Sequence, residues 1–186
     1  GFSDGYHIAL GASDGTLAWT RQLAKPDAKF QDADAQAIFL DGVLYVSSVT
    51  GALQALNPST GKPNWSIELG GALHLAAFDD DIIVAQEGGR IIRVDTYARK
   101  PVWKVQLNQG WGSPSGIELT GNYLVLGWSK GGLSWIDGRT GSPHLQFDAG
   151  AGFSARPLTT DGGLYVLGNQ GTLFAFRANQ HRRSIR

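Results

Sequence analysis

Four histidines, His7, His74, His144 and His181, are the residues of this chain whose type best suits metal binding or proton transfer. They stand in four different stretches, and none has a second His or Cys at the short interval that zinc ligation uses. The chain contains no cysteine and no methionine, so thiolate ligands, thiol nucleophiles and disulfides are excluded. The carboxylate run Asp79-Asp80-Asp81 could offer oxygens to calcium, but a calcium loop needs further ligands at fixed places. It reads as a solvated turn. No Gly-x-Ser-x-Gly elbow occurs. The glycine-rich stretches GGALHLAAF (70–78) and GWGSPSG (110–116) lack the strand–loop–helix setting of a phosphate cradle. The chemistry-bearing residues therefore argue against catalysis, and the elements that carry them have to supply the reading.

Those elements repeat. GYHIALGASDGTLAW (5–19), GALQALNPSTGKPNW (51–65), GRIIRVDTYARKPVW (89–103) and GGLSWIDGRTGSPHL (131–145) share one pattern, and GTLFAFRANQ starts it again at 171. The leading glycines Gly5, Gly51, Gly89, Gly131 and Gly171 suggest tight hairpin turns with positive φ. The last slot holds Trp19, Trp65, Trp103 and Leu145. An inner slot holds Gly15, Gly61 and Gly141, with Arg99 in the third copy. Apolar residues alternate after each leading glycine, as in a strand. NPSTG and DGRTG read as the following turn, and the Trp slot opens another strand. Two more strand-like runs precede each unit, for example QAIFL (36–40) and VLYVSS (43–48), split by Asp41-Gly42.

Four short strands, A to D, in each period of roughly 40–45 residues are the signature of a β-propeller blade. The expected fold is all-β, with four-stranded antiparallel blades and almost no helix. The expected units are the end of one blade at 1–23, full blades at 34–69, 72–107 and 114–149, three strands of a last blade at 153–178, and a basic tail at 179–186. A partial ring fits better than a closed four-bladed ring, because the first hairpin already carries its own strand C. Its two uncovered faces would favour self-association. The recurrence of Trp19, Trp65 and Trp103 at one slot marks them as inter-blade packing residues. Trp135 replaces Ala55 and is expected to fill a gap nearer the axis. Trp111, in a glycine-rich connection, is expected to be exposed and a candidate partner contact.

The composition agrees. Sixteen basic and sixteen acidic residues give zero formal charge, which offers nucleic acid no basic face. Only HRRSIR (181–186) is locally basic, and it reads as a frayed terminus. No apolar run reaches the length of a membrane span, and no signal peptide is present. The absent initiator Met and the start inside a blade suggest a fragment.

The slot pattern G-x-L-x-A-L-x-x-x-x-G-x-x-x-W resembles the PQQ-type propeller repeat, shared by quinoprotein dehydrogenases and the BamB family of outer-membrane assembly lipoproteins. The order of the long stretches 30–65 and 121–176, together with GFSDG (1–5), is similar to the C-terminal half of an eight-bladed BamB. An Asp32-Ala33-Asp34 element occupies the D-x-D place, with Ala37 where the family has proline. The resemblance implies a non-catalytic periplasmic scaffold at the inner face of the outer membrane, anchored by a lipid on an upstream cysteine. It implies no cofactor. Its implied partners are the POTRA domains of BamA and nascent outer-membrane proteins. The rival dehydrogenase reading meets a chain without the cysteines that often lie beneath the cofactor. A generic extracellular binding module is the third reading. In the BamB family the BamA contact lies in the connection before D-x-D and in a turn of the next blade. Here those are KPDAKFQDAD (25–34), with Asp27, Lys29, Phe30 and Gln31, and the turn QEGGR (86–90), with Gln86 and Glu87. The family carries acidic residues in that turn, and Glu87 is the residue that keeps the charge.

Overall fold

The computed structural model describes residues 1–23, 33, 35–107, 110–160 and 162–177. Among them the chain is all β apart from one short 3-10 turn at Glu87–Gly89. Five antiparallel sheets follow one another. Blade I holds β1 (Tyr6–Leu10) and β2 (Leu17–Gln22). Blade II holds β3 (Ile38–Leu40), β4 (Val43–Val46), β5 (Leu53–Leu56) and β6 (Pro63–Ile67). Blade III holds β7 (Ala72–Phe78), β8 (Asp81–Gln86), β9 (Arg90–Asp95) and β10 (Lys100–Gln106). Blade IV holds β11 (Pro114–Thr120), β12 (Tyr123–Trp128), β13 (Leu133–Asp137) and β14 (Pro143–Phe147). Blade V holds β15 (Leu158–Thr160), β16 (Gly163–Leu167) and β17 (Leu173–Arg177). Each sheet is a meander in chain order, and the five form an open arc of a propeller.

Period-two alternation explains how the blades stack. The second strand of a full blade is buried on both sides. In β8, Ile82 and Val84 pack toward Tyr45 and Leu53 of blade II, whereas Ile83 and Ala85 pack toward Leu124 and Leu126 of blade IV. In β12, Val125 turns to Leu164 and Val166 of blade V. This two-sided burial is why these strands read as continuous apolar runs rather than alternating ones. Each fully buried Val, Leu or Ile contributes about 1.5–3 kcal/mol.

The Trp slot joins blade I to blade II and blade III to blade IV. Trp19 of blade I donates its Nε1–H to the Pro58 carbonyl of blade II at 2.8 Å, and Trp103 of blade III donates to Gly138 of blade IV at 3.1 Å. Their rings lie over Gly61 and Gly141, where an added β-carbon would sit 2.6 and 2.8 Å from the ring. The inner glycine slot thus has two reasons. It takes positive φ (66° and 74°), and it leaves room for the preceding blade's tryptophan.

In blade III the same turn carries Arg99 at φ 56°, with its N–H donating to Asp95 as Gly61 donates to Asn57. A side chain in the left-handed region costs about 1–2 kcal/mol, and glycine's greater unfolded freedom offsets roughly half of that. Arg99→Gly is therefore expected to raise stability by about 0.5–1 kcal/mol. Equilibrium urea unfolding checks this, and a decrease would contradict it.

The outer strands are guarded. β6 and β14 open on a proline and β10 carries one second, and the register shifts beside Pro63, Pro101 and Pro143. Proline and a bulge on an edge strand both discourage pairing with other chains.

Several details differ from the sequence expectation. Gly5, Gly89 and Gly171 have positive φ, but Gly51 and Gly131 do not. Those two are glycine for space: a β-carbon at Gly131 would run into the Trp111 ring, and one at Gly51 into Ser48 Oγ. Trp111 is accordingly half-buried against the blade III–IV core rather than free. Trp135 packs edge-on to Phe176 at 5.5 Å between blades IV and V, not at the axis. Asp79 and Asp80 are exposed as expected of a turn, but Asp81 is buried.

Candidate partner-binding end of the blades

An antiparallel meander puts the A–B and C–D turns at one end of every blade and the B–C turns and D–A connections at the other. At the second end each D–A connection lies across the B–C turn of the blade it leaves. Ala72 N–H donates to the Ser48 carbonyl, and Phe153 N–H donates in the same way to Trp128. The residue before each donor is glycine. A side chain at Gly71 would meet the Val49 carbonyl, and one at Gly152 the Ser129 carbonyl. Gly71 of GGALHLAAF, like Gly152, is therefore a crossing point. The sequence marked its presence, but the crossing partner lies over twenty residues away.

The turn Glu87–Gly89 sits at this end. Gln86 is buried, and its side-chain amide donates to the Leu69 carbonyl at 2.7 Å. Gln106 braces the turn from the neighbouring strand by donating to the Gly88 carbonyl at 2.6 Å. Gly88 and Gly89 take φ 74° and 84°. The two amides hold the turn rigid and leave Glu87 and Arg90 exposed. A cavity of about 350 Å³ opens beside them, bordered by Val49, Leu69, Gly71, Glu87, Arg90 and Gln106. Of the residues singled out from the sequence, Glu87 thus faces solvent on a braced turn, and Gln86 serves to position it. Asp27, Lys29, Phe30 and Gln31 lie outside the described residues, as do Asp32 and Asp34. The connection's ends are described: Leu23 N–H donates to Gly5 O at 2.8 Å, and buried Ala33 donates to Phe2 O at 3.1 Å.

The histidines do not converge. His7 is buried against the Ala33 carbonyl at 2.5 Å, and burial lowers its pKa below 6.5. His74 contacts the Pro114 carbonyl at 3.1 Å, and His144 stacks on Tyr123 at 4.4 Å. His181 is outside the described residues. Among the described residues no group of three His, Cys, Asp or Glu side chains could hold a metal ion. The acidic run finds its use elsewhere. Arg93 reaches Asp81 at 2.6 Å and Asp79 at 3.6 Å, donates to the Gly138 carbonyl at 3.1 Å, and covers the Phe78 ring at 4.7 Å. This cluster ties blade III to blade IV. Sequence reasoning missed it; the one signal was an arginine standing at an apolar place of strand C.

Radial four-stranded meanders, joined by a tryptophan slot and presenting braced turns at one end, define a β-propeller of the PQQ-like repeat class. A family model described as outer membrane protein assembly factor BamB matches residues 3–184. The chain belongs to that family. It is 28% identical over 178 residues to the outer membrane protein assembly factor BamB of Xanthomonas campestris pv. campestris, covering 92% of this chain and 44% of that relative. It is 24% identical over 183 residues to the protein of the same description from Escherichia coli K12, covering 94% and 46%. The crystal structure of BamB from Moraxella catarrhalis superposes with a TM-score of 0.79 at 20% identity, covering 94% of this chain and 54% of that one. The chain spans about half the length of these curated relatives. No helix among the described residues is long and apolar enough to cross a membrane.

Proposed function

We propose that this chain is a non-catalytic scaffold segment of the machinery that inserts β-barrel proteins into the outer membrane, working on the periplasmic side and docking the POTRA domains of BamA. The family match over residues 3–184 carries this reading. The geometry supports it in one respect. The exposed carboxylate of Glu87 stands on a turn that two glutamine amides hold in place, and rigidly held loop residues lose little entropy on binding. Lys29 and Phe30 supply the second half of the surface, an apolar anchor beside a positive charge, with Asp27 and Gln31 beside them. Gln86 acts by holding the turn. Nascent outer-membrane strands are the proposed cargo of the whole assembly, and no nucleic acid or cofactor enters the reading.

The test is titration of purified POTRA domains against the full-length protein carrying Lys29→Glu with Phe30→Ala. Loss of about 2 kcal/mol, roughly 30-fold in Kd, is expected, with an unchanged circular dichroism spectrum. Unchanged affinity in a folded double variant would move the interface away from this end of the blades.

A further inference from the structure

The first strand of each blade lines the axis of the arc, and beside the middle of β11 side chains from three blades meet. Arg156, two residues ahead of β15, donates Nη2–H to Glu118 Oε2 on β11 at 2.8 Å and Nη1–H to Gln36 Oε1, two residues ahead of β3. Gln36 and Arg156 belong to blades II and V and stand 120 residues apart. The other carboxylate oxygen of Glu118 accepts the Thr159 N–H at 3.2 Å, which fixes it against blade V. The approach is built into the backbone. Gly116 of β11 lies against Arg156, and a β-carbon there would collide with the arginine's own Cα and Cβ. A cavity of about 200 Å³ adjoins the three side chains, bordered by Ile38, Leu75, Ala77 and Leu119 from the inner strands.

We propose that Arg156 is a strap across the axis, tying blade V to blade II, setting the opening of the arc and bordering the axial cavity. Arginine suits the task because its planar fork holds two acceptors at once, which the single ammonium of lysine does in far less fixed geometry. Arg156 is 50% exposed and Glu118 15% exposed, so water screens the pair and it adds little to stability. Its effect is on shape, since consecutive blades otherwise touch only their neighbours.

The chain has no cysteine, so Asn64→Cys in blade II and Thr172→Cys in blade V, both exposed, take spin labels cleanly. Pulsed dipolar spectroscopy on this background is expected to give one narrow distance. Arg156→Met and Gly116→Val are each expected to lengthen it by a few ångström and broaden it, with Arg156→Lys between them, while far-ultraviolet circular dichroism stays unchanged. Should Gly116→Val fail to fold, Arg156→Met decides. A distance distribution in folded Arg156→Met that matches the parent's in mean and width would overturn the strap.

Discussion

Trp128→Ala is expected to lower the unfolding free energy by about 3–5 kcal/mol, out of a total of roughly 5–15 for a domain. Trp128 lies at the end of β12 with 1% of its surface exposed, inside the core shared by blades III and IV. Its Nε1–H donates to Ser134 Oγ at 2.9 Å, and Ser134 is itself buried. Truncation removes the largest fully buried side chain among the described residues. It leaves a cavity bordered by rigid strands, and it strands a hydroxyl without its donor. Gly89 lies so close that an added β-carbon would be 3.0 Å from the indole, so the site is filled to contact and relaxes little. Trp128→Phe keeps most of the volume but not the hydrogen bond, and should cost about 1–2 kcal/mol. Urea titration followed by circular dichroism measures both; a loss below about 1 kcal/mol for the alanine variant would show that the blade III–IV core collapses around the gap.

Arg93→Met should cost about 3 kcal/mol, more than Asp81→Asn. Arg93 and Asp81 side chains are each 13% exposed, and their 2.6 Å contact is shielded by Phe78. Removing the arginine leaves the buried Asp81 carboxylate without its cation, takes a donor from the Gly138 carbonyl and exposes the Phe78 face. Removing the aspartate charge leaves Arg93 with Asp79 and Gly138 still in reach. The ordering of the two variants in thermal unfolding is the sharper test. Equal losses would mean that the pair, and not the stranded charge, sets the cost.

The blade pattern was legible because each strand repeats a local rule: alternation within it, an Asn or Asp at the turn, a tryptophan after it. Asn57 and Asp137 do accept the N–H groups two and three residues on, as such turn residues should. What stayed hidden depends on distant partners. Arg99 was aligned with the inner glycine slot, but its left-handed backbone shows in the structure alone, and the need for glycine at Gly71, Gly131 and Gly152 comes from atoms 20 to 23 residues away that cross over them. Asp81 looked like its exposed neighbours until β9 placed Arg93 beside it. At the candidate partner-binding end, the family resemblance marked Glu87 through its charge, whereas the burial of Gln86 follows from a carbonyl in the previous blade's exit. Trp111 was expected in solvent because glycines flank it, yet Gly131 receives it.

The tryptophan joints all point one way. Trp19 and Trp103 reach forward into the turn of the following blade, and none of the described bonds of this kind runs backward. The arc is therefore polar, like a filament with unlike ends. Its leading end, blade I, offers the turn around Gly15, at φ 71° with open space above it, which is the receiving half of a joint. Its trailing end has no such turn among the described residues. Anything that extends the arc in the manner of its own joints must add head to tail, with the inserting half presented to blade I. Head-to-tail addition closes a ring when the rotation per blade is right and otherwise continues as a spiral. Two arcs meeting face to face about a two-fold axis would set receiver against receiver, and a tryptophan joint of the kind seen between blades I and II and between III and IV could not form between them.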